Sequence, residues 1–247
     1  MNAVPLICAV ASLPVGWFGG VLIDRVPVDD ADEDDDRPVR LVIDDRSLRP
    51  LPGVRLRGWH LFVHLAMLVA FTLVGIRFES APFLVIVGYL LLTAMLVTVS
   101  VIDIDCYRLP DRIVFPTLGA SVLLVVVESI RQGQPGQIRY ALAGAGVYFG
   151  FLLLVHLISP NGMGFGDVKL ALVMGLYAGW LATTYSGALV LVLWCMLVGF
   201  LSGSVVGIVL LVRRGRSRHI PFGPFLALGC LTVILLAAHL TTVALSY

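Results

Sequence analysis

The stretch PFLVIVGYLLLTAMLVTVSVIDIDCYRLPD, residues 82–111, decides the fold. Residues 82–102 carry no charge and match the roughly 20 apolar residues that a helix needs to cross a bilayer. Asp103, Asp105, Arg108 and Asp111 then follow in close succession, and Leu109-Pro110 interrupts the helix. Acids gathered where a span meets water are costly to place, which makes them candidates for function before any other residue is considered.

Outward from this stretch the same alternation repeats. Charged or polar breaks fall at Asp24 to Gly58, Arg77 to Glu79, Asp103 to Arg112, Arg131 to Arg139, Asn161 to Lys169, Thr183 to Tyr185 and Arg213 to His219. They leave eight apolar runs, at residues 4–23, 59–76, 82–102, 113–130, 140–159, 168–182, 186–212 and 220–245. The predicted fold class is an all-α polytopic membrane protein with about eight transmembrane helices, organised as a single membrane domain over residues 1–247. The bulk numbers agree. Of 247 residues 59% are hydrophobic and 13% charged, with a mean hydropathy of +0.97, where soluble domains carry about 25% charged residues.

A formal net charge of +1 argues against nucleic-acid binding, which needs a concentrated basic face. The expected surroundings are the lipid bilayer and a protein partner. Cys8, Cys106, Cys195 and Cys230 form no CxxC pair and read as small buried hydrophobes. The first apolar run has no basic segment before it and no Ala-x-Ala cleavage pattern, so it reads as a retained span.

Eight spans sort the loops alternately. Fourteen of the 17 basic residues fall on one side, and only Arg77, Arg131 and Arg139 on the other. The basic side is expected to be cytoplasmic, with both termini outside and Asp103 and Asp167 at the cytoplasmic face. The loop 24–58 is acidic first and basic later. Its run Asp29 to Asp36 repels itself and reads as a solvated tether.

Outside that loop six acids remain: Glu79, Asp103, Asp105, Asp111, Glu128 and Asp167. Glu79 and Glu128 fall on the outer side and need no functional explanation. The other four share the cytoplasmic side. Asp167 follows Gly162-Met163-Gly164-Phe165-Gly166, whose alternate glycines are expected to permit positive φ and close chain approach. An acid there also suits a helix N-terminus, as a cap or as a dipole partner. Two carboxylates that face each other can share one proton, because like charges at hydrogen-bonding distance resist joint ionisation. One can then act as base towards water while the other acts as acid towards a peptide carbonyl. Asp105 is the rival of Asp103. Two residues along a helix turn about 200° around it, so the two acids cannot face the same partner. Asp111, after Pro110, reads as a turn or cap residue. Lys169 can pair with a site carboxylate or reach towards lipid headgroups. Pro221, Gly223 and Pro224 either line the site or simply start the last helix.

The segments Ile102-Asp103 to Leu109-Pro110-Asp111, Gly164-Phe165-Gly166-Asp167-Val168-Lys169 and Ile220-Pro221-Phe222-Gly223-Pro224-Phe225 resemble, in order, the three signature blocks of type IV prepilin peptidases, membrane aspartyl proteases of the GxGD type. The resemblance covers approximately residues 90–245. It implies that Asp103 and Asp167 are the catalytic pair, with Gly164, Gly166, Lys169, Asp105, Pro110, Asp111, Pro221, Gly223 and Pro224 shaping the site or binding substrate. The implied substrate is a prepilin or pseudopilin, cut at the cytoplasmic face of the inner membrane just before its hydrophobic helix.

The amino-terminal block departs from the family pattern. It keeps Gly16, Phe18, Arg25 and Pro27 but carries Gly20 where asparagine is usual, and the loop 24–58 lacks the paired cysteines that bind zinc in long members. No cofactor and no zinc are expected, and methyl transfer from S-adenosylmethionine is expected less than peptide cleavage. His60, His64, His156, His219 and His239 show no metal-ligand spacing. An alternative from another class is a transporter that moves protons or ions through buried acids. It would want acids near the midplane or an inverted repeat, whereas these acids cluster at one face.

Overall fold

The computed structural model describes residues 3–24, 59–106, 109–159, 163–214 and 221–244. Among these residues eight α-helices occupy the eight predicted runs: α1 (Val4–Asp24), α2 (Trp59–Arg77), α3 (Phe83–Cys106), α4 (Asp111–Arg131), α5 (Gly136–Ile158), α6 (Phe165–Trp180), α7 (Tyr185–Arg214) and α8 (Gly223–Ala244). Many of their residues are β-branched and would be mediocre helix formers in water. In hydrocarbon the backbone must satisfy its own polar groups, so an apolar run becomes helix regardless. The loop 24–58 lies outside the described residues, apart from Asp24 at the end of α1.

Helices α1, α3, α4, α5 and α7 are each long and apolar enough to cross a membrane, and α2 and α8 contain shorter apolar segments. The outer helices show apolar side chains outward, including Leu6, Leu61, Phe115, Leu154 and Leu201, as a lipid-facing surface does. Helix α6 differs. It has 16 residues, about 24 Å at 1.5 Å per residue, which is short of the roughly 30 Å hydrocarbon core. All but a few of its residues are buried, against α3, α4, α5, α7 and α8. It is the central post of the bundle rather than one of its walls.

Glycines set how closely α5 approaches that post. A Cβ at Gly175 would collide with the main chain of Gly144 and Ala145, and one at Gly179 with the main chain of Tyr140 and Ala141. Small residues let helix backbones touch where no hydrophobic effect drives them together. At the end of the bundle remote from the acids, polar ties add to the packing. Tyr89 of α3 donates its hydroxyl to the Tyr177 carbonyl at 3.1 Å, and the Tyr177 hydroxyl donates to Ser121 Oγ of α4 at 3.0 Å. The rings of Phe78, Tyr89 and Trp180 stack over them.

Glu128 departs from the sequence reading, which left it without a role. Its side chain is fully buried in α4. Both oxygens lie 2.7 Å from Arg131 nitrogens, and the Gln132 amide donates a third bond. The acid thus ties the end of α4 together.

Candidate active site

Asp103 is close to the last turn of α3, and Asp167 is the third residue of α6. One helix ends where the other begins, so both acids lie at the same end of the bundle. Both are buried, with 6% and 5% of their surface exposed. Asp103 lies close enough to Asp167 for its charge to act there.

An acid at a helix C-terminus meets the negative end of that helix's dipole, which makes Asp103 a poor fit to α3 alone. The compensation comes from α8. The N–H of Gly223, its first residue, donates to Asp103 Oδ2 at 2.9 Å. That N–H is one of the donors a helix start leaves without an internal partner. A Cβ on Gly223 would stand 2.7 Å from the same oxygen, so any other residue there would displace the carboxylate from this N–H. Pro224 occupies the second position of α8, where its missing N–H costs little. Pro221 precedes the helix and is half-buried. The third block therefore both starts a helix and holds a site carboxylate.

Gly164 is the N-cap of α6, with φ −66° and extended backbone, and no side chain caps the helix. Asp167 is consequently not the cap. Its N–H donates to the Gly164 carbonyl at 3.1 Å, while its Oδ1 is buried without a hydrogen-bond partner among the described residues. The expectation of positive φ at these glycines is overturned at Gly164 and Gly166; among the described residues only Gly133 has it. Close approach is what Gly166 provides, since a Cβ there would lie 2.7 Å from Leu109 Cβ. Gly162 lies outside the described residues.

Lys169 pairs with Asp111 rather than with either buried acid, its Nζ lying 2.7 and 2.8 Å from the two carboxylate oxygens. Asp111 is the first residue of α4, after the N-cap Pro110, whose extended backbone ends the preceding segment. His156, on which the sequence placed no role, contacts the Met163 carbonyl through Nδ1 at 2.8 Å and so links α5 to the residue before Gly164. The side chain of Asp105 lies outside the described residues, as do those of His60, Cys106, His219 and His239. Cys8, Cys195 and Cys230 are buried with free thiols. Among the described residues no three His, Cys, Asp or Glu side chains converge as metal ligands would.

Fold and site together define a multi-pass helical membrane protein with two buried carboxylates at one end of its bundle. The model of the type IV leader peptidase family matches residues 89–212, about half of the chain, and the chain belongs to that family. Among curated proteins it is similar to the prepilin leader peptidase/N-methyltransferase of Aeromonas hydrophila, 32% identical over 166 residues, which are 66% of this chain and 54% of that one. It is also similar to the proteins of that name from Stutzerimonas stutzeri, 31% identical over 64% of this chain and 52% of that one, and Pseudomonas aeruginosa, 30% identical with the same two shares. The chain spans about half the length of these relatives. No solved structure matches it.

Proposed function

We propose that the chain is an aspartic endopeptidase that removes the leader of prepilins or pseudopilins, with Asp103 and Asp167 as its catalytic pair. The observation that carries this reading is the contrast between two neighbouring buried acids. One oxygen of Asp103 is fixed by a main-chain N–H, whereas Asp167 keeps an oxygen without a partner among the described residues. An unsatisfied buried polar atom is costly, and at an active site that cost leaves an atom free for the reaction.

The pair shares one proton. One carboxylate takes a proton from water as the water oxygen bonds to the scissile carbonyl carbon, and the other gives its proton to the carbonyl oxygen. Collapse of the tetrahedral species breaks the C–N bond as the departing nitrogen is protonated, and the dyad returns to its starting state. No metal enters this sequence.

The basic residues, 14 of 17 on one side of the predicted topology, support a site that opens to the cytoplasm from an inner membrane, with both termini outside. The proposal is for cleavage alone. The loop 24–58 has no cysteine to hold zinc, and methyl transfer is not included. The test is co-expression with a panel of candidate prepilins, with processing compared among wild type, Asp103→Asn, Asp105→Asn and Asp167→Asn at matched membrane levels. Cleavage lost in the first and third variants and kept in the second is expected. Full processing by Asp167→Asn sinks the aspartyl mechanism.

A further inference from the structure

Two observations at the rim of the site have no explanation in local helix physics. Lys169 is a cation at the start of α6, where the helix dipole disfavours positive charge. It is two residues from Asp167, so it points to the opposite side of the helix, towards α4. There its Nζ makes a two-pronged pair with Asp111 and lies 5.5 Å from the Phe115 ring centre and 5.1 Å from that of Phe165. As a source of stability this is a weak device, because the Asp111 side chain is 54% exposed and exposed pairs contribute about 0–1 kcal/mol. What it does have is directional precision, since the cation is confined by two oxygens and two rings.

The covalent context shows what that precision serves. Asp103 and Asp111 lie on one run of chain, α3 into α4, while Asp167 and Lys169 lie within the first turns of α6. The pair therefore ties the stretch that follows Asp103 to the helix start that carries Asp167, and beside it Leu109 rests against Gly166.

We propose that Lys169 and Asp111 are a positioning pair that holds the α3–α4 segment against the Asp167 turn and so sets the spacing of Asp103 and Asp167. The inference rests on the peptidase reading above, and neither residue is assigned contact with substrate. Displacing a reacting group by about 1 Å can cost on the order of a hundredfold in rate, so a contact that adds little stability can still matter greatly to turnover.

The experiment uses the full chain purified in detergent with a synthetic prepilin peptide. Lys169→Met keeps the apolar stem, and Asp111→Asn keeps the shape. Each is expected to lower kcat by roughly ten- to a hundredfold with KM within about twofold, and the exchange Lys169→Asp with Asp111→Lys is expected to recover part of that loss. A second readout needs no substrate. In a Cys106→Ser background, maleimide labelling of Leu109→Cys is expected to quicken several-fold when Lys169→Met is added, because the contact with Gly166 loosens. Unchanged kcat and labelling in both single variants overturn the proposal. So does a rise confined to KM, which would make the pair a substrate contact. Should wild type cleave nothing, the peptidase reading fails, and the labelling rates judge the pair on their own.

Discussion

The main-chain N–H of Gly223 and the Oδ2 of Asp103 are 2.9 Å apart, although 120 residues separate them in sequence. The start of α8 thereby supplies the positive helix end that α3 denies to its own terminal acid. Hydrogen bonds to charged groups contribute about 1.5–3 kcal/mol. Gly223→Ala, whose methyl would press on Asp103 Oδ2, is therefore expected to lower kcat roughly ten- to a hundredfold. Gly119→Ala, whose methyl meets nothing within 4 Å, is the control. Equal turnover by the two variants would remove Gly223 from the site.

Where α5 and α6 touch through backbone alone, there is no flexible side chain to yield. Gly175→Ala is expected to destabilise the protein by about 1–3 kcal/mol, the usual cost of overpacking, and to appear as a lower thermal midpoint in detergent. Gly150 is on the open face of α5, where an added methyl meets nothing within 4 Å, and Gly150→Ala is expected to leave the midpoint unchanged or raised. A drop of the same size in both variants would mean that the contact with α6 does not govern the result, since helix propensity alone favours alanine over glycine.

The buried Glu128 makes a prediction about order of removal. Arg131→Ala strands an acid whose side chain is fully buried while its former partner was 57% exposed. Losing one member of such a pair is worse than losing the charge of both. The double variant Glu128→Gln with Arg131→Ala is expected to melt above Arg131→Ala alone. If it melts lower, the three bonds around Glu128 do not behave as an ion-paired unit.

Much of the fold was legible because a bilayer punishes any other reading of eight apolar runs. Each helix falls within a few residues of its predicted place, and Asp167 arrives at a helix start as its glycines suggest. The partners were not legible. A helix apolar all round does not announce which face meets lipid and which meets protein, so the centrality of α6 was hidden. Gly223 read equally well as a plain helix start, since nothing local pairs it with Asp103. The Gly164 and Gly166 pattern suggested unusual backbone angles when the need at Gly166 was space for Leu109. Glu128 looked like an interfacial acid because its burial depends on how α4 packs.

The glycine contact between α5 and α6 also bears on how the chain is built into a membrane. A 16-residue segment that starts beside a carboxylate is a poor candidate for partitioning into lipid by itself. Helix α5, with 23 residues, precedes it and lies against its backbone. The two would enter as one hairpin, the longer arm carrying the shorter, and Asp167 would reach its depth during biogenesis already shielded by its neighbour.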